Sequence, residues 1–225
     1  MNLFKSNLYK IRHQPLLFGI LIMSIGYAAY FIFKIKTQPT AQDFWFKTSV
    51  VYLNCLEPFF LGLIAAVQRK FEDKASNLNR ILSFPRRTSW ILSWAGQTYL
   101  LWLLNLFVIN LLFVFFTHLS GKYYVCFWLS LAILGIIWIP IIEFFSILHG
   151  YMAGLVTGFI SIPFTVYYGT SQLGASTWRL LPWVYHVKIY LIPTTQLVNF
   201  LLIVVIITLL EQILVNWRFN HWVGN

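Results

Sequence analysis

"QRKFEDKASNLNRILSFPRRTSW", residues 68–90, is the one long polar passage in a chain of 225 residues that is otherwise apolar. It is either a piece of soluble surface or a loop between segments that live in lipid. Composition separates the two: 59% of residues are hydrophobic, only 10% are charged, and mean hydropathy is +0.73, whereas a soluble domain carries roughly 25% charged residues. The passage therefore reads as a loop. Crossing a hydrocarbon core of about 30 Å takes about 20 apolar residues. Working outward from the passage, such runs are Thr48 to Val67 before it and Ile91 to Thr117 after it, then Tyr124 to Leu148, Tyr151 to Gly169 and Thr194 to Val215, with Pro15 to Phe33 at the start. The first run is followed by Lys34, Lys36 and Gln38 and not by a small-residue cleavage pattern, so it reads as a retained span. The expectation is an all-α integral membrane protein, a single transmembrane domain over 1–225, with six transmembrane helices and no room for a soluble domain.

The formal net charge of +10 comes from 16 Lys and Arg against 6 Asp and Glu. These cations are not pooled on one helix with aromatics between them, so a nucleic-acid partner is not expected. Their distribution is topological. With the N-terminus inside, Lys5, Lys10, Arg12, Arg69, Lys70, Lys74, Arg80, Arg86, Arg87 and Arg218 lie on the inner side. Lys34, Lys36, Lys47, Lys122, Arg179 and Lys188 lie outside. The bias favours an N-in, C-in chain, which six spans also require. Trp45, Trp90, Trp178, Trp183, Trp217 and Trp222 fall near span ends and read as interfacial aromatics. Cys55 and Cys126 lie within spans and read as small buried hydrophobes.

Three further segments organise the chain. Over 1–14, Leu3, Phe4, Leu8 and Ile11 share a helical face with Lys5, Lys10 and Arg12 elsewhere, as in a helix lying in the headgroup layer. Only His149 and Gly150 separate the fourth and fifth spans, which implies a tight hairpin. The segment 170–193 interleaves Leu173, Trp178, Leu180, Trp183 and Tyr185 with Pro182, His186 and Lys188, a pattern suited to a short external pair of re-entrant or interfacial helices. Within the opening passage, Phe71, Ala75, Leu78 and Leu82 recur every four, three and four residues and form one stripe of a short amphipathic helix that Pro85 stops. Such a helix lies on the membrane or fits a groove on a soluble partner.

A loop after the second of six spans, running from Glu72 and Asp73 through the Leu-bearing stretch Asn77 to Leu82 into "SFPRRTSW" with Pro85, Arg86 and Arg87, resembles the coupling-helix loop of ABC type 2 permeases. The segment Leu3 to Arg12 resembles that family's interfacial N-terminal helix, and 170–193 its external helical hairpin. In size and in its very short loops the chain is similar to the permease subunits of lantibiotic-immunity transporters, which bacteria use for bacteriocin self-protection. Permeases of peptide export or drug resistance of similar size share those traits. The resemblance implies a multi-pass protein of the bacterial cell membrane, surrounded by lipid, paired with an identical or related second permease and acting on an amphipathic peptide. It implies that Phe71, Glu72, Asp73, Ala75, Leu78, Leu82, Pro85, Arg86 and Arg87 couple the chain to a dimer of ABC ATPase subunits.

No G-x-x-x-x-G-K-[ST] sequence occurs, since Gly121-Lys122 is followed by Tyr, so ATP and Mg are expected on that partner chain and no cofactor on this one. Glu57, Glu143 and Glu211 lie within the apolar runs, where ionisable groups are costly. Glu57 precedes Pro58, which frees a carbonyl one turn back. The pair reads either as the wall of a cavity facing a cationic peptide or as a protonated carboxyl bonded to a neighbouring helix. Glu143 and Glu211 read as pathway residues or as groups paired or snorkelling near the inner ends of their spans. Gly150, Gly154 and Gly158 form a G-x-x-x-G-x-x-x-G run for close helix packing, within the chain or between copies. The scattered His13, His118, His149, His186 and His221 carry no metal-ligand spacing, and Gly-Ala-Ser-Thr at 174–177 lacks the second glycine of a serine-nucleophile turn. An intramembrane protease-like enzyme and a passive membrane immunity protein are the alternatives. Against the enzyme, no paired Glu-Glu stands on a span.

Overall fold

A computed structural model describes residues 15–76, 87–171, 177–193 and 195–221. Nearly all of these residues are helical, with no strand among them. In chain order they form α1 (Pro15–Thr37), α2 (Gln42–Ser76), α3 (Arg87–Phe116), α4 (Gly121–Trp128), α5 (Trp138–His149), α6 (Tyr151–Thr170) and α7 (Leu197–Asn220). A π-turn over Leu129–Ile133 and a 3-10 turn over Leu134–Ile137 join α4 to α5, so Gly121–His149 is one long apolar element with a break at its centre. Six elements are long and apolar enough to cross a membrane, in the six places where the sequence carries apolar runs.

The hub is α2. It runs 35 residues without interruption, about 52 Å at 1.5 Å per residue, which overshoots a 30 Å hydrocarbon core by several turns. Of its most apolar stretch 72% is buried inside the protein, against 17% for α7. Helices in lipid gain nothing from hiding apolar surface from each other, so they associate by close packing and hydrogen bonds. Both devices are visible around α2. A Cβ on Gly62 would stand 2.9 Å from the Gly154 carbonyl oxygen of α6, and one on Gly158 would collide with the Pro58 carbonyl. The α2 and α6 backbones therefore meet directly. Tyr27 of α1 donates to the Ser49 carbonyl of α2, and Thr98 of α3 donates to Gln68 of α2 at 3.1 Å.

Several expectations need correction. The glycine run is not one stripe: Gly158 faces α2, Gly154 faces Ser146 of α5 and meets α2 only through its carbonyl at Gly62, and Gly150 has φ 91° and is the turn between α5 and α6, a conformation that disfavours any side chain. Phe71 to Ser76 do not begin a separate helix. Gln68, Arg69 and Lys70 are good helix formers with no Gly or Pro between them and Val67, and α2 runs straight through. Residues 77–86, with Leu78, Leu82, Pro85 and Arg86, lie outside the described residues, as do 1–14. The 170–193 segment does not form a helix pair in its described part. It is a chain of 3-10 turns, Thr177–Leu180, Pro182–Val184 and Ile189–Leu191, broken by Pro182. Trp90 and Trp178 are buried in the core, Trp217 is the exposed one among the described members of the set, and Trp222 lies outside the described residues.

Candidate functional site

Pro58 lacks an N–H, so the carbonyl four residues earlier, that of Asn54, loses its helical donor. In lipid such a group costs several kcal/mol unless something else bonds it. The donor comes from the 177–191 segment: His186 Nε2 stands 3.1 Å from the Asn54 oxygen. Because a carbonyl can only accept, Nε2 carries the proton and Nδ1 does not. Asn54 reciprocates, its Nδ2 donating to the His186 carbonyl at 2.9 Å. Burial pulls the His186 imidazole down to about 4, so the ring is neutral near pH 7. The two residues thus form a closed lock between α2 and the turns that precede α7. Gly169 and Val187 tighten it, since a Cβ on Gly169 would stand 2.6 Å from the valine Cγ1.

One turn beyond Asn54, Glu57 is fully enclosed at 0% exposure. Trp102 Nε1 of α3 donates to its Oε1 at 2.7 Å and also lies 3.2 Å from the Leu131 carbonyl. Tyr99, one turn before Trp102, donates to the Ala132 carbonyl at 2.9 Å. Both carbonyls belong to the π-turn, where the change from i+5 to i+3 bonding unsettles regular partners. The break exists where the carboxyl does: Gly135 faces Glu57 so closely that a Cβ there would overlap the carboxyl group. Glu57 therefore fills a notch in the fourth span.

Two further carboxyls stand on α5 and α7, which pack on each other. Glu143 of α5 is also at 0% exposure, with the Gln212 side chain of α7 as its polar neighbour. Glu211 of α7 is half-buried and accepts a bond of 2.9 Å from Trp183 Nε1, so the 177–191 segment reaches α7 as well as α2. Neither carboxyl pairs with a Lys or Arg among the described residues, and neither reaches a helix end. Beside Glu211, α5 and α7 part to leave a groove of about 330 Å³ lined by Pro140, Ile141, Phe144, Leu210 and Leu214.

At the end of the bundle where α2 stops and α3 starts, Arg69 bridges Asp73 at 3.0 Å, and Lys70 lies over the Tyr151 ring of α6 at 5.8 Å. Glu72 is buried and Phe71 half-buried. Arg87 reaches the Phe219 carbonyl at 3.4 Å and Asn220 donates to Thr88 at 3.2 Å, tying the last turn of α7 to the first of α3. Phe71, Glu72, Asp73 and Arg87, the described residues of the expected coupling set whose side chains are placed, thus lie at that end of the bundle.

Asn54, Trp102, Gly135, Trp183 and His186 were not among the residues singled out from sequence as site candidates. One signal pointed at part of this set, because a proline in a span leaves the carbonyl four residues back in need of a donor. Among the described residues no three His, Cys, Asp or Glu side chains gather as a metal ion would require. No protein-family model, curated protein or solved structure matches the chain.

Proposed function

We propose that this chain is the membrane-spanning subunit of an ABC transporter of the bacterial cell membrane, expelling an amphipathic peptide such as a lantibiotic from the membrane or its outer face. A separate ATPase dimer supplies ATP hydrolysis, and a second permease completes the pathway. The N- and C-termini lie in the cytoplasm, 68–90 is the cytoplasmic coupling loop, and 177–191 is an external segment that turns back into the bundle.

The observation that carries this reading is α2. One unbroken helix leads from the proposed docking loop, past the Glu57 notch, to the Asn54–His186 lock. A push on its Ser76 end meets no break at residue 67 and reaches Pro58, where the carbonyl that the proline frees is held by His186. Rigid-body rocking of this kind is how a transporter changes the side on which its pathway opens.

The test is affinity purification from solubilised bacterial membranes, with the native chain against one bearing Leu78→Asp and Leu82→Asp. A P-loop ATPase that follows the native chain and is lost from the double variant, at equal membrane levels, supports the reading. Native complexes without an ATPase overturn it and leave the passive immunity protein and the protease-like enzyme as the readings to pursue.

A further inference from the structure

We propose that the groove between α5 and α7 is a binding site for a cationic amphiphile, entered sideways from the lipid, with Glu211 as counter-ion to its head. The two helices line it with matching stripes, Pro140, Ile141 and Phe144 facing Leu210, Leu214 and Val215. Pro140 and Val215 form a buried floor, while Leu210 and Leu214 are lips at 60% and 56% exposure. The volume, about 330 Å³, lies at the lower end of small-molecule pockets, roughly 300–1,000 Å³. Because the lips belong to the bare apolar face of α7, a ligand reaches the groove from the bilayer and not from water.

Charge decides what occupies it. Glu211 sits nine residues from the end of α7 at Asn220, about 14 Å along the axis, too deep for its short side chain to reach water. Its Oε1 is fixed by the Trp183 indole, and its Oε2 has no hydrogen-bond partner. A phospholipid tail would fill the apolar walls and leave the carboxylate alone. A second copy of this chain would bring amides and hydroxyls such as Gln212 and Thr208 to that depth but no described cation, because the described Lys and Arg residues lie towards helix ends or in the 177–191 segment. The complement is a cation carried on an apolar body. The role of the site in transport rests on the permease reading, but binding itself does not.

The test uses the full chain in nanodiscs of zwitterionic lipid, without any ATPase, and two photoreactive probes with the same dodecyl chain, one headed by trimethylammonium and one by a hydroxyl. Labelled peptides are mapped by mass spectrometry. The expected result is labelling of 138–149 and 197–220 by the ammonium probe, falling about tenfold in Glu211→Gln, while the hydroxyl probe labels weakly and equally in both. An amide oxygen still accepts the Trp183 bond, so this substitution removes charge with little change of shape. Leu214→Trp, which fills the groove and keeps the charge, should abolish labelling by the ammonium probe. Equal labelling by both heads, or no response to Glu211→Gln, would reduce the groove to an ordinary lipid contact and overturn the proposal. Copy-to-copy cross-linking through Leu214→Cys with no probe labelling would overturn it in favour of a second copy. A failed labelling experiment leaves the ATPase pull-down untouched, and the reverse holds too.

Discussion

Replacing Gly158 by Ala tests the contact on which the bundle is built. The added Cβ would collide with the Pro58 carbonyl oxygen and stand 3.1 Å from Phe59 Cα, where ordinary contact begins at 3.4 Å. Both opposing atoms are main chain, so neither can swing aside, and α6 must move. A displacement of 0.5–1 Å forfeits about a quarter to a half of each dispersion contact along the α2–α6 seam. Overpacking of this kind costs about 1–3 kcal/mol. Gly96→Ala in α3 is the control: nothing lies within 4 Å of its Cβ, and losing a helical glycine there gains up to about 1 kcal/mol. Both glycines are helical and share that gain, so the two variants should differ by the overpacking cost, about 1–3 kcal/mol, with Gly158→Ala the less stable. Cys55, 3% exposed, reports unfolding through its reaction with a thiol-specific dye on a Cys126→Ser background in detergent. A Gly158→Ala protein that melts at or above the Gly96→Ala protein would refute direct backbone packing of α2 on α6.

Gly135→Ala should displace the Glu57 carboxyl and break its bond to Trp102, seen as a change in the indole N–H resonance and a loss of about 1–3 kcal/mol, whereas Glu57→Gln should keep both. Removing the donor to the proline-freed carbonyl, His186→Ala, should likewise cost about 1–3 kcal/mol. Asn54→Ala, which leaves that carbonyl bonded and the His186 carbonyl free to find another donor, should cost less; equal losses would argue against the lock. The His186 ring is neutral in the folded protein down to about 4, but in the unfolded chain it takes up a proton near 6.5. Stability is therefore full above pH 6.5 and declines as pH falls towards 4, so the melting temperature should drop between pH 7.5 and 5 in the native protein and less in His186→Gln.

The spans were legible because hydropathy is a composition signal that needs no partner. Their lengths were not. Val67 ends the apolar run, but α2 continues because Arg69 can bridge Asp73 and because Glu72 finds burial, and neither fact is local to hydropathy. The π-turn in the fourth span was invisible, since one extra residue in a uniformly apolar stretch leaves no mark on its periodicity. Pro58 did announce a free carbonyl, and the sequence contains five histidines to serve it. That His186 is the one depends on a partner 132 positions along the chain folding back. The G-x-x-x-G pattern was legible as close packing but not as to where it ends, because a glycine in a turn and a glycine in a groove look alike in one dimension. Glu143 and Glu211 were legible as costly and not as neighbours of Gln212 and Trp183.

The lock between Asn54 and His186 also bears on how the protein is made. Synthesis delivers α2 to the membrane long before the 177–191 segment leaves the ribosome, so for most of biogenesis the Asn54 carbonyl stands open beside a proline in a helix already in place. A truncated or stalled chain keeps that open polar group permanently, along with an unfilled slot on α2. A chain long enough to carry His186 can close it, and no shorter one can.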